Sequence, residues 1–204
     1  MRTNPLFDSL QYMFVIKSWT TITFDVLLLA GIALAVLVYR SSPEQRTARH
    51  VWIWFARTVI GAMWWQQVIW KTPPTYGGLE FWTKEMVKYA STGLQRSFLT
   101  HVVLAHFSFF APQIFLIEVM ISATLLLGLW SRFGSFLGLA MGINLSLGLY
   151  RSPGEWPWTY VFLIVVMGLF VSDSPGRSLG LDVLLARGDQ GGNGRVSRLL
   201  QLAR

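Results

Sequence analysis

The chain has 204 residues, 53% of them hydrophobic and only 13% charged, with 10 Trp, 14 Phe and 6 Tyr; a soluble domain carries a charged fraction nearer ~25%, so an integral membrane protein is expected. It contains no cysteine, which excludes disulfides, thiolate metal sites and iron–sulfur ligation within the chain, so redox chemistry would need a partner or a diffusible cofactor. The formal charge of +7 clusters in loops and the tail beside apolar runs, where the positive-inside bias accounts for it, and no nucleic-acid partner is expected.

Residues 1–20 surround the apolar patch LQYMFVI with Arg2, Asp8 and Lys17. They lack the basic start, compact apolar centre and small-residue exit of a cleaved signal peptide and read as a short interfacial segment. Residues 21–39, TITFDVLLLAGIALAVLVY, are long enough to cross about 30 Å of hydrocarbon at the helical rise. Asp25 lies near the start of this first span, where a carboxylate sits at headgroup level near a helix N-terminus. A polar connection over 40–50 carries Arg40, Arg46 and Arg49.

Residues 51–70 form a second expected span of unusual composition. Arg57, Gly61, Trp64, Val68 and Lys71 recur at helical spacings of four and three, so one face presents a guanidinium, a gap, an indole and an ammonium, and should point into the bundle. The interval 71–111 is the longest polar stretch. Pro73, Pro74, Gly77 and Gly78 should stop the helix and force a loop. The residues after them mix helix-period apolar positions with Lys84, Glu85, Lys88, Arg96, His101 and His106, which predicts one or two interfacial helices broken near Gly93, a surface lid over the bundle.

The stretch 112–151 reads as a helical hairpin on which the rest packs. Its first arm, 112–130, is apolar except for Glu118; its second, 133–150, is apolar except for Asn144, with Arg132 alone in the turn. Gly134, Gly138, Gly142 and Ser146 stand four apart, lining small residues along one face where another helix can come close. Asn144 is expected to hydrogen-bond across helices on this arm, as are Gln66 and Gln67 on the second span. A Pro/Gly turn with interfacial indoles, RSPGEWPW, leads to a short last span over 158–171, and the tail from Ser172 is polar and Gly-rich. GDQGGNGR reads as disordered and SRLLQLAR as a terminal amphipathic turn. The three arginines of the short 40–50 loop weigh most in orientation, which places the C-terminus in the cytoplasm and the N-terminus and 71–111 outside.

A charge in the middle of a membrane helix costs on the order of 2.5–3.5 kcal/mol, so Arg57 and Glu118 should not stand alone, and pairing them is the economical solution. Their depths agree only approximately, leaving room for a bridging water or ligand. Two readings stay open. One is a structural ion pair between helices. In the other, Arg57, Glu118 and Lys71 line a pocket, with Trp64 and Trp65 as walls, for a polar-headed lipophile such as a quinone, whose carbonyls need a donor and whose ring needs aromatic contact. The histidines at 50, 101 and 106 are too few and too poorly spaced for haem or a metal triad. No catalytic triad, P-loop or dinucleotide fingerprint is present.

The order R-x3-G-x9-K at Arg57, Gly61 and Lys71, then GGLEFW, then E-x9-G-x3-R at Glu118, Gly128 and Arg132, the glycine-spaced helix, and the ending GRSLGLD at Gly176 to Asp182 resembles the DoxX/DoxD family of small bacterial and archaeal membrane proteins. The resemblance implies an all-α fold: a four-helix bundle over 51–182 in the cell inner membrane, both bundle ends cytoplasmic and the long loop outside. The N-terminal segment and extra transmembrane helix over 1–50, and the polar tail over 183–204, are additions. DoxD-like members are the membrane subunit of thiosulfate:quinone oxidoreductase, which oxidises thiosulfate to tetrathionate and reduces a membrane quinone. By that resemblance this chain would handle quinone, for which the residues themselves offer Arg57, Trp64, Lys71 and Glu118 as the binding set, with Gly134, Gly138, Gly142 and Asn144 for helix packing and no metal, haem or iron–sulfur cluster. Sulfur chemistry would fall to a second membrane or extracytoplasmic subunit, or to the outer interval, where Lys71, Lys84, Lys88 and Arg96 could attract an anion. The alternative is a non-catalytic scaffold subunit of a larger respiratory or photosynthetic complex. A small transporter ranks third, since no repeat or broken helix pair is visible.

Overall fold

The computed structural model describes residue 11 and residues 18–188. The described residues form helices and turns and no strands. Three helices are long and apolar enough to cross a membrane, which marks the chain as a membrane protein: α1 (Trp19–Ser41), α5 (Phe107–Leu127) and α6 (Ser131–Leu149). Two more were expected as spans. α2 (Ala48–Ile69) has the length but carries Arg57, Gln66 and Gln67, which lower its hydropathy. α7 (Pro157–Asp173) is apolar but has only 17 residues. The outward face of α2 is nonetheless apolar, with Trp52, Phe55, Val59 and Met63 exposed, while Arg57, Gly61, Trp64 and Val68 are buried. The polar face therefore points inward, as the spacing predicts.

Local chemistry sets the helix starts. Ser18 Oγ accepts from Thr21 N at 3.2 Å, and Thr47 Oγ1 accepts from His50 N at 3.3 Å, each satisfying a donor that the first turn leaves free. Pro157 stands in the first turn of α7, where its missing N–H costs nothing.

The hairpin is displaced from its expected bounds. Its first arm starts at Phe107, with Pro112 inside the helix, and ends at Leu127. Gly128 adopts φ +63° and its N–H caps Thr124 O; this left-handed cap ends the helix three residues earlier than the apolar run does. Arg132 lies in the first turn of α6, not alone in the connection, and its Nε donates to Val171 O at 2.8 Å.

α6 is the packing centre its glycines predict. A Cβ on Gly134 would collide with Thr124 of α5, and one on Gly138 with Met167 of α7; Gly142 faces Leu163 and Ile164. α1 is integrated into the bundle as well. Gly31 lies directly against the Leu126 carbonyl, and Trp65 Nε1 donates to Thr20 O at 3.1 Å.

The interval 71–111 differs from expectation at its start and follows it further on. Gly77 and Gly78 begin a helix instead of breaking one: α3 (Gly77–Tyr89) starts after Tyr76, which takes the left-handed conformation at φ 49°. α4 (Gly93–Phe98) follows the expected break and runs into a π-helical stretch, Leu99–Leu104. His101 and His106 are exposed, in keeping with interfacial positions. At the other end of the bundle α8 (Leu181–Gly188) crosses the expected tail boundary at 183 and buries Val183 against Ala35 and Val38 of α1. The proposed interfacial segment before Ser18 and the tail motifs after Gly188 lie outside the described residues.

Candidate functional site

Buried charge sits at two levels of the bundle, and the pairing differs from the economical guess. Glu118 pairs with Lys71, not Arg57. Lys71 follows the end of α2, at the level where α5 carries Glu118, whereas Arg57 faces Leu125 and Leu126, about two helical turns further along α5. The depth mismatch in the sequence is real, and the cation at the helix exit resolves it.

Around Arg57 the protein closes completely. The residue is 0% exposed. Its Nη1 donates to Leu125 O and to Leu126 O, the latter at 3.2 Å. A Cβ on Gly128 would stand 2.8 Å from Arg57 Cζ, so only glycine lets the guanidinium lie under this turn. Asp182 secures the same turn from the other side, accepting from Trp130 N at 2.8 Å, Ser131 N at 3.1 Å and Ser131 Oγ at 2.9 Å, while its own N–H donates to Gly128 O. Burial pushes the Asp182 carboxyl above its usual range, against the pull of the Ser131 and Trp130 donors and the positive field of Arg57. Arg57 Nε and Nη2 lack partners among the described residues, and Arg57 does not line the cavity beside Glu118.

Around Glu118 the protein leaves room. A cavity of about 650 Å³ opens beside the Lys71–Glu118 pair and is lined by Trp64, Gln67 and Trp70 of the α2 end, Trp82, Thr83 and Met86 of α3, and Asn144 and Leu145 of α6. Its volume lies in the range of small-molecule and cofactor sites. Its lining is mostly apolar, with Lys71 Nζ 4.4 Å from the centre of the Trp70 ring. Two polar atoms of lining residues are buried with no partner among the described residues: Glu118 Oε2 and Trp64 Nε1. A buried polar group without a partner costs about 1–3 kcal/mol, so a water or a ligand that supplied partners to these two atoms would be stabilising.

Of the sequence-predicted site residues, Trp64, Lys71 and Glu118 come together on this cavity, and Arg57 does not line it. Trp65 turns the other way, toward Phe24 of α1, with ring centres 6.3 Å apart. Asn144 reaches the cavity wall and accepts from Gln95 Nε2 of α4 at 2.8 Å. Sequence reasoning missed the α3 wall. The signal was present, since Leu79, Trp82, Thr83 and Met86 follow the helical i, i+3, i+4, i+7 pattern. It also missed Tyr160, whose hydroxyl donates to Glu155 at 2.8 Å where both line the cavity.

The four cations singled out as an anion lure are already engaged. Lys71 pairs with Glu118, Lys84 with Glu80 at 2.7 Å and Lys88 with Glu85 at 3.8 Å, while Arg96 Nε donates to Val87 O at 3.2 Å. The α3 surface is locally close to neutral.

Comparison with protein-family models, curated proteins and solved structures finds no match.

Proposed function

We propose that this chain is the membrane subunit of a redox complex, and that its own part is to hold the headgroup of a membrane quinone beside Lys71 and Glu118. The observation that carries the reading is the pair of unpartnered buried atoms, Glu118 Oε2 and Trp64 Nε1, on a large and mainly apolar cavity. A quinone ring requires flat apolar walls, and its two carbonyls require hydrogen-bond donors. Trp64, Trp70, Trp82 and Met86 supply walls; the Trp64 N–H, the Lys71 ammonium and the Gln67 amide supply donors.

A bound quinone supplies uptake of two electrons and two protons to give the quinol. The chain's residues orient the ring and keep a carboxylate and an ammonium, already hydrogen-bonded to each other, beside the oxygens that must gain protons. The electrons come from a partner. The DoxX/DoxD resemblance supports thiosulfate as donor, two thiosulfates giving up one electron each as the sulfur–sulfur bond of tetrathionate forms. With the α3 cations neutralised in place, that chemistry belongs on a second subunit. In this reading α2 and α7 cross the bilayer with α1, α5 and α6, in the cell inner membrane, the C-terminus is cytoplasmic and the cavity lies toward the outer face. The scaffold alternative would assemble a larger complex through the glycine face of α6 and through α1, whose Thr20 and Gly31 contact the bundle while Ile22, Val26, Leu29 and Leu37 stay exposed.

Native mass spectrometry of protein released gently from its own membrane tests the proposal. Wild type should retain one quinone per chain, and Trp64→Phe should retain clearly less while remaining folded, since it removes an N–H that a quinone carbonyl would accept from. A folded wild-type chain that never carries quinone would contradict the reading.

A further inference from the structure

The two unpartnered atoms are not equivalent, and their difference specifies the redox state of the ligand. Trp64 Nε1–H can only donate. As the carboxylate partner of the Lys71 ammonium through Oε1, Glu118 would only accept, and its Oε2 has no donor among the described residues. An oxidised quinone carries two carbonyl oxygens and no O–H, so it can satisfy Trp64 and leaves Oε2 bare. A quinol presents a hydroxyl that donates to Oε2, while a phenolic oxygen still accepts from Trp64. We infer that the cavity recognises the quinol in preference to the quinone, through a phenolic O–H donated to Glu118 Oε2.

This inference rests on the quinone reading of the same cavity and adds a direction to it. Hydrogen bonds to charged groups are stronger than neutral ones, and a buried carboxylate oxygen left unpaired is costly. The discrimination therefore resembles that of sites built to bond a hydroxyl, which reject analogues lacking it far more strongly than sites that merely enclose it. A tenfold preference for the quinol raises the midpoint of the bound two-electron couple by about 30 mV, so the site would pull electrons onto its ligand and would hold its product until membrane quinone displaces it.

The test is anaerobic calorimetric titration of the full chain in lipid nanodiscs, with empty nanodiscs as blank, using three probes of the same carbon frame: duroquinone, duroquinol and the dimethyl ether of duroquinol. The expected result is quinol bound at least tenfold more tightly than quinone, with the ether as weak as the quinone or weaker, because methylation removes the donor. Trp64→Phe should weaken quinone and quinol together and leave their ratio within about threefold of wild type, since its N–H serves both. Glu118→Gln should collapse the ratio. The ether comparison needs no variant, so it decides the matter even if Glu118→Gln fails to fold. Quinone binding as tightly as quinol, or the ether matching the quinol, would overturn the donor requirement while leaving the quinone site standing. Absence of binding by all three probes would remove the quinone site and this inference with it.

Discussion

Arg57 and Glu118 are both fully buried charges on facing helices, yet the protein treats them in opposite ways. Arg57 is pressed against main-chain carbonyls under a turn that only glycine can make, with Asp182 stitching that turn to the C-terminal segment. Glu118 is half satisfied, with one oxygen on Lys71 and the other without a partner among the described residues, and the residue lines a cavity. In the proposed reading, the charge under the closed turn serves the fold and the one whose residue lines the cavity serves the ligand. Neither burial nor an unpaired atom distinguishes them, since both residues show both; what differs is that Glu118 lines the cavity and Arg57 does not.

Substitutions at the closed end sharpen this contrast, because each should cost stability without changing quinone retention in the molecules that fold. The largest effect is expected for Arg57→Met, which strips the donors from Leu125 O and Leu126 O and removes the positive field from Asp182. Thermal unfolding in detergent should report a loss of roughly 2–5 kcal/mol. Quinone loss from well-folded Arg57→Met would break the contrast.

Gly128→Ala comes next. The left-handed backbone alone costs about 1–2 kcal/mol with a side chain present, and the new methyl would press on Arg57 Cζ and on Gly180 Cα at 2.7 Å. Folded yield measured by fluorescence-detected size exclusion should fall clearly. At the cavity end, Asn144→Leu removes the bond from Gln95, and polar contacts of this kind within membrane bundles average about 0.6 kcal/mol; a small drop in melting temperature is expected.

The smallest effect is a pH slope. Because the Asp182 carboxyl sits above its usual value of 3.8 in the folded protein, the folded state binds its proton more tightly than the unfolded chain. Its contribution to stability is complete below that value and is lost as pH rises through the raised one. Melting temperature followed upward from pH 3.8 should therefore decline slightly, and Asp182→Asn should flatten that decline.

The inward face of α2 was legible because Arg57, Gly61, Trp64, Val68 and Lys71 follow helical spacing, and that spacing fixes which direction each points. It does not fix which neighbouring helix lies opposite or at what depth. For that reason Arg57 was matched to Glu118 on chemistry, while Lys71, at the same level, is the residue that reaches it. The glycine arm was legible from its period of four. The hairpin turn was displaced because Gly128 and Trp130 both take left-handed conformations, a three-dimensional choice that a continuous apolar run conceals. A pocket beside Lys71, Glu118 and Trp64 and a helical lid over 71–111 were both legible, but helical spacing within α3 does not say which element its Leu79–Met86 face covers, so the two were not joined.

The central claim, that the quinone headgroup sits against Lys71 and Glu118, is tested most directly by photo-crosslinking with a short-chain azidoquinone followed by peptide mapping. Labelling should fall on residues around Trp64 to Lys71, on the α3 wall near Trp82 to Met86, or beside Glu118, and should be blocked by excess native quinone. Blockable labelling confined to the neighbourhood of Arg57 and Gly128, or to the outward faces of α1 and α7, would contradict the account.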